Sequence, residues 1–109
     1  MMAIEELGIS WVRFTVKPRV ISTDGNETYY GVSLPYKVFI KTISVPVVVV
    51  TPYGKFKFYR KLFKTRWNNV IVVFPKKFNY IWSKLAKEKR YVDVYLPITV
   101  VEVKKIEAG

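Results

Sequence analysis

Short apolar runs of period two, cut by prolines and glycine turns, direct most of this chain into β-strands joined by tight turns. Side chains of a strand point alternately to its two faces, so strict alternation marks a strand with one face buried. Val12, Phe14 and Val16 alternate with Arg13, Thr15 and Lys17, and the run from Val12 to Ile21 reads as one strand that Pro18 bends or confines to a sheet edge. Turn formers crowd into Ser22 to Glu27, where Asp24-Gly25 or Gly25-Asn26 supplies the positive φ of a tight hairpin into a second strand, Thr28 to Leu34. Thr51-Pro52-Tyr53-Gly54 is a second turn and pairs Val47 to Val50 with Lys55 to Tyr59. In that hairpin Lys55 and Lys57 face one side, Phe56 and Phe58 the other.

The remaining runs follow the same rule. Lys37 to Val50 is rich in β-branched residues and reads as extended, its alternation broken by Pro46. Val70 to Phe74 suits a buried strand, and Tyr91 to Leu96 and Ile98 to Ile106 are two more segments parted by Pro97. Only after Pro75 does the period change. Phe78, Ile81, Trp82 and Leu85 stand at i, i+3, i+4 and i+7, the stripe of an amphipathic helix from Pro75 to Lys89. The expectation is an α+β, mostly β fold: a small twisted sheet or barrel of about six strands with one amphipathic helix near residues 75–89. A length of 109 residues suits a single domain.

Composition removes several kinds of chemistry. There is no cysteine for a disulfide or thiolate site, and no histidine, the commonest metal ligand and general base. No phosphate loop or nucleophile motif occurs, so neither an enzyme nor a bound cofactor is expected. The longest apolar run, Val45 to Val50, is short of a bilayer span, and the start MMAIEELGIS does not read as a signal peptide. A cytoplasmic protein without a membrane partner is the expectation.

The net charge of +11 is concentrated in one part of the chain. From Thr28 to Lys87 there are twelve basic residues and no acidic one. Such crowding of like charge is relieved when a polyanion binds and releases its counterions. Its densest part, Lys55 to Trp67, interleaves cations with aromatic rings. Lys55, Lys57, Arg60, Lys61, Lys64 and Arg66 are candidates for phosphate contact, Tyr59 and Trp67 for stacking on bases, and Phe56, Phe58 and Phe63 for the inward face of the hairpin.

Two places share a local plan. Val32-Ser33-Leu34-Pro35-Tyr36-Lys37 and Val72-Val73-Phe74-Pro75-Lys76-Lys77 each run from strand through an apolar residue and proline to lysine, which suggests two halves of about 12–62 and 66–106. The second, with its helix to Lys89, and Arg19-Val20-Ile21 with Gly31 to Lys37 resemble the AbrB-type swapped-hairpin DNA-binding domain. That resemblance implies an intertwined homodimer, or its equivalent inside one chain, with basic loops and strands on DNA. It adds Lys76 and Lys77 to the candidate contacts.

The sequence thus points first to double-stranded DNA binding with a regulatory role. Alternatives are single-stranded nucleic acid and an acidic protein partner that adds a strand to a sheet edge. Abundant Ile, Val, Tyr and Lys with no Cys also resemble the composition of chains from hot-growing organisms or of the archaeal or viral elements found with them.

Overall fold

A computed structural model describes residues 10–34, 44–64 and 69–98, with the backbone alone of Lys64. The fold is α+β and mostly β. Its strands are β1 (Trp11–Val16), β2 (Arg19–Asp24), β3 (Glu27–Leu34), β4 (Ser44–Thr51), β5 (Gly54–Lys61), β6 (Phe63–Lys64), β7 (Val70–Val73) and β8 (Val92–Pro97). A single-turn 3₁₀ helix, Lys76–Phe78, leads into α1, Asn79–Lys87. The described strands number eight rather than about six because two long runs each bend and change sheets. Val12 to Ile21 breaks at the buried Pro18 into β1 and β2, and the chain from β5 turns into β6 at the buried Leu62. The stretches 37–43 and 99–106, which the sequence pattern reads as extended chain, lie outside the described residues.

Both hairpins follow their turn chemistry. Gly25 opens the β2–β3 loop at φ +62, and Asp24 pairs with Glu27. In the β4–β5 loop Thr51 Oγ1 accepts from the Tyr53 N–H and donates to the Gly54 carbonyl, both at 2.9 Å, while Gly54 takes φ +142. Pro46 is tolerated within β4 because it precedes Val48, where pairing with β8 begins.

The strands form two antiparallel sheets, ordered β1-β8-β4-β5 and β2-β3-β7-β6. Their arrangement has an internal two-fold. Exchanging β1 with β5, β2 with β6, β3 with β7 and β4 with β8 leaves both strand orders unchanged. The central pairs obey the same exchange: Val32 lies opposite Val72 and Val49 opposite Val94. Each of these four valines stands three residues before a proline. The exchanging units are residues 11–51 and 54–97, so they meet in the Pro52-Tyr53 turn, whereas the local sequence likeness places the boundary between 62 and 66. The physical reason is the corner at Leu62, which makes β5 and β6 one continuous path.

A shared core fills the space between the sheets. Val32 and Leu34 of β3, Val45, Val47 and Val49 of β4, Val70 and Val72 of β7, and Val92, Val94 and Leu96 of β8 are all buried, which is what period-two alternation toward one face requires. α1 covers this core with Trp82 and Leu85, both 0% exposed. The Trp82 ring lies 4.6 Å from that of Phe74 and 4.9 Å from that of Phe56, and its Nε1 donates to the Pro75 carbonyl at 2.8 Å. The helix closes with Arg90 N–H on the Leu85 carbonyl and Lys89 at φ 54, a left-handed cap. Among the described residues no helix is long and apolar enough to cross a membrane.

Candidate nucleic-acid interface

β5 is the edge strand of its sheet, and alternation divides it cleanly. Phe56 and Phe58 turn inward and pack on the core, so Lys55, Lys57, Tyr59 and Lys61 are left on the outer face, all exposed. The register extends this face across the sheet in one row, Lys57 beside Val48, Val48 beside Tyr95, and Tyr95 beside Arg13. The next row ends differently. There Lys55 lies beside Val50, which lies beside Asp93, and Asp93 accepts from Thr15 Oγ1 at 2.7 Å. On this face of the sheet the cations are therefore concentrated along β5.

Arg60 does not belong to that exposed row. It occupies the inward position after Phe56 and Phe58, opposite Val45, and its Nε donates to the Val73 carbonyl of the other sheet at 2.9 Å. Half-buried, it ties β5 to β7. The guanidinium thus has a structural duty besides whatever its charge attracts, since leaving the Val73 carbonyl unpaired would cost the usual desolvation penalty.

Beyond the Leu62 corner Phe63 points outward and is 58% exposed, against the expectation that it faces the core. Inward positions are the even ones, 56, 58, 60 and 62, so alternation already assigns Arg60 to the inside and Phe63 to the outside. Tyr59, 62% exposed, and Phe63 line the same open cleft of about 490 Å³, with Tyr29, Arg60, Lys61 and Lys76 on its walls and Val73 and Phe74 behind them. Tyr29 is a member of this site that the sequence did not announce.

Lys76 reaches the cleft already partnered. Its ammonium makes an exposed ion pair with Glu27, which also accepts from the Tyr29 hydroxyl at 2.7 Å. Hydrogen bonds from Lys76 and Tyr29, with the nearby ammonium charge, hold the Glu27 carboxyl below its ordinary range. The same contacts push the Lys76 ammonium and the Tyr29 phenol up. Lys77 is exposed, its Nζ 5.2 Å from the Phe78 ring centre, and it stands apart from the β5 row on the turn leading into α1. Lys64 pairs through its backbone with Val70, and its side chain, Arg66 and Trp67 lie outside the described residues.

The structure thus gathers Tyr59, Arg60, Lys61 and Lys76 around one cleft and extends the basic face from it along β5 through Lys57 and Lys55. Compared with known proteins, the chain matches no family model, no curated protein and no solved structure.

Proposed function

We propose that the protein binds nucleic acid, and in the first place duplex DNA in a regulatory role. The observation that carries this reading is the exposed row Lys55, Lys57 and Lys61 on an edge strand without a carboxylate of its own. Lysines so placed can neutralise successive phosphates, and the release of condensed counterions drives association. The internal two-fold adds support. Pairing of equivalent strands, Val32 opposite Val72 and Val49 opposite Val94, is compatible with two intertwined halves such as the Pro35 and Pro75 steps suggest.

The exposed rings of Tyr59 and Phe63 beside Lys61 favour a second reading, single-stranded DNA or RNA, because bases inside a duplex are not free to stack on them. Titrations of duplex and single strand across a range of salt decide between the two. Duplex binding should fall steeply with salt, and Lys55→Gln, Lys57→Gln and Lys61→Gln should each shrink the log–log slope by about 0.9, the value of one phosphate no longer neutralised. Preference for the single strand, abolished in Tyr59→Ala, selects the second reading. Equally weak binding to both at every salt concentration removes nucleic acid as the ligand and leaves an acidic protein at the β5 edge to be sought.

A further inference from the structure

We propose that the cleft at the β5–β6 corner is a site for one nucleotide, its phosphate on Lys61 and Arg60 and its base against the rings of Tyr59 and Phe63. This does not depend on the duplex reading; it rests on the same rings as the single-strand reading and narrows that reading to one nucleotide. The cleft's volume of about 490 Å³ falls within the range of roughly 300–1,000 Å³ common to small-ligand sites. Its walls divide by chemistry. Tyr59, Tyr29 and Phe63 supply aromatic surface, while Arg60 and Lys61 supply cationic charge.

Tyr80 and Tyr91 are as exposed as Tyr59 and Phe63, so what singles out the latter two is that both line one cleft. Tyr59 sits on the outer face of one sheet and Phe63 on the edge strand of the other, with only the corner at Leu62 turning the chain between them. Neither ring contributes to the core cluster, although Phe56, Phe58 and Phe74 close by do. Two large rings left in water on either side of one corner are suited to cover an apolar planar ligand.

The charges select the rest of that ligand. Glu27 neutralises Lys76 and occupies the Tyr29 hydroxyl, so that side of the cleft offers little to an anion. Lys61 is exposed and without a carboxylate partner among the described residues, and Arg60 holds its charge in the wall through its bond to the Val73 carbonyl. The attraction for phosphate therefore lies on the β5 side. A planar base joined to a phosphate satisfies both halves. It could arrive as a free mononucleotide or as an unpaired nucleotide of a strand.

Calorimetric titration of the full chain with AMP, adenosine and inorganic phosphate tests the site, followed by a blunt two-stranded DNA duplex and the same duplex with a single-stranded overhang. AMP should bind at least about tenfold more tightly than either adenosine or phosphate. Phe63→Ala should weaken AMP by about tenfold or more, the scale of one base–aromatic stack, and Lys61→Gln by about tenfold or more, the scale of one charge-assisted hydrogen bond. Both side chains are exposed, so both variants should melt with the wild type, and Lys87→Gln should leave AMP binding unchanged. A preference for the overhang that AMP competes away identifies a strand nucleotide; AMP binding with no such preference identifies a free one. If AMP binds no better than phosphate, or Phe63→Ala leaves it unaltered, the proposal is overturned. Salt-dependent binding of the blunt duplex, carried by Lys55 and Lys57, reports separately on the duplex reading.

Discussion

Replacing Gly31 by alanine should be among the most damaging single-atom additions this protein can receive. Gly31 lies opposite Arg19 in β2 and Val73 in β7. A β-carbon there would fall 2.1 Å from the Val72 carbonyl oxygen and 3.0 Å from Cγ1 of Ile21, the residue at which β2 bulges between Val20 and Ser22. The Ile21 side chain can turn aside, but the carbonyl belongs to the backbone of a strand held on both sides. Ordinary contact begins near 3.4 Å, so β3 and β7 must part by more than an ångström at this point. A hydrogen bond of about 2.9 Å does not survive that displacement. Losing about two ladder bonds at roughly 1 kcal/mol each, with roughly 1–3 kcal/mol for overpacking, gives about 3–5 kcal/mol. At roughly 4 °C or more per kcal/mol for a domain of this size, the midpoint should drop by more than about 10 °C. Thermal melts followed by far-UV circular dichroism measure it. Gly25→Ala is the control, because its β-carbon meets nothing within 4 Å and only the positive φ opposes it, at about 1 kcal/mol. A Gly31→Ala protein melting within a few degrees of wild type would refute the close approach of β3 and β7.

Three other perturbations follow from the same geometry. Arg60→Ala should lower stability by about 1–3 kcal/mol in urea melts, since it strands the Val73 carbonyl, whereas Lys57→Gln should stay within about 0.5 kcal/mol; equal effects would argue against a structural role for Arg60. Glu27→Gln should lower the melting temperature at neutral pH. Because the folded carboxyl titrates below its unfolded value, the contribution is fully present above about pH 4.3 and disappears as the pH falls through the folded value, so the two melting curves should converge in acid. A difference independent of pH would exclude the Lys76 pair as its source. Cutting the chain between Pro52 and Tyr53 should give two fragments that show no cooperative melting alone but regain it when mixed, because every pairing in the first sheet joins one unit to the other. Cooperative unfolding of either fragment by itself would contradict that interdependence.

Local chemistry is legible in the sequence, and long-range placement is not. Glycine and proline mark both hairpins, Pro18 marks a corner, and the spacing of Phe78, Ile81, Trp82 and Leu85 marks the helix and its buried face, because each signal acts over a few residues. The inward turn of Arg60 is also available from alternation, but a cation reads by default as a surface residue, and only the Val73 carbonyl waiting inside explains why this one is not. Nothing local could show that β8 inserts between β1 and β4, or that Glu27 meets Lys76 across the two units. Those pairings depend on the whole sheet order. The likeness of the two proline steps hints at repetition, yet the unit boundary becomes visible only through the corner at Leu62.

Two identical subunits related by a two-fold must carry identical surfaces, so any charge placed on one appears on the other. A single chain with the same arrangement is released from that rule. Where Lys57 faces Val48, the exchanged position has Thr15 facing Asp93, a neutral donor on an acid. The scaffold is nearly even-handed while its charge is not: the neighbouring position keeps a cation in both halves, Lys55 and Arg13, but Lys57 has Thr15 on Asp93 as its counterpart. Such a molecule has a front and a back, and if it binds the nucleic acid proposed above it should do so in one orientation rather than two, at any protein concentration.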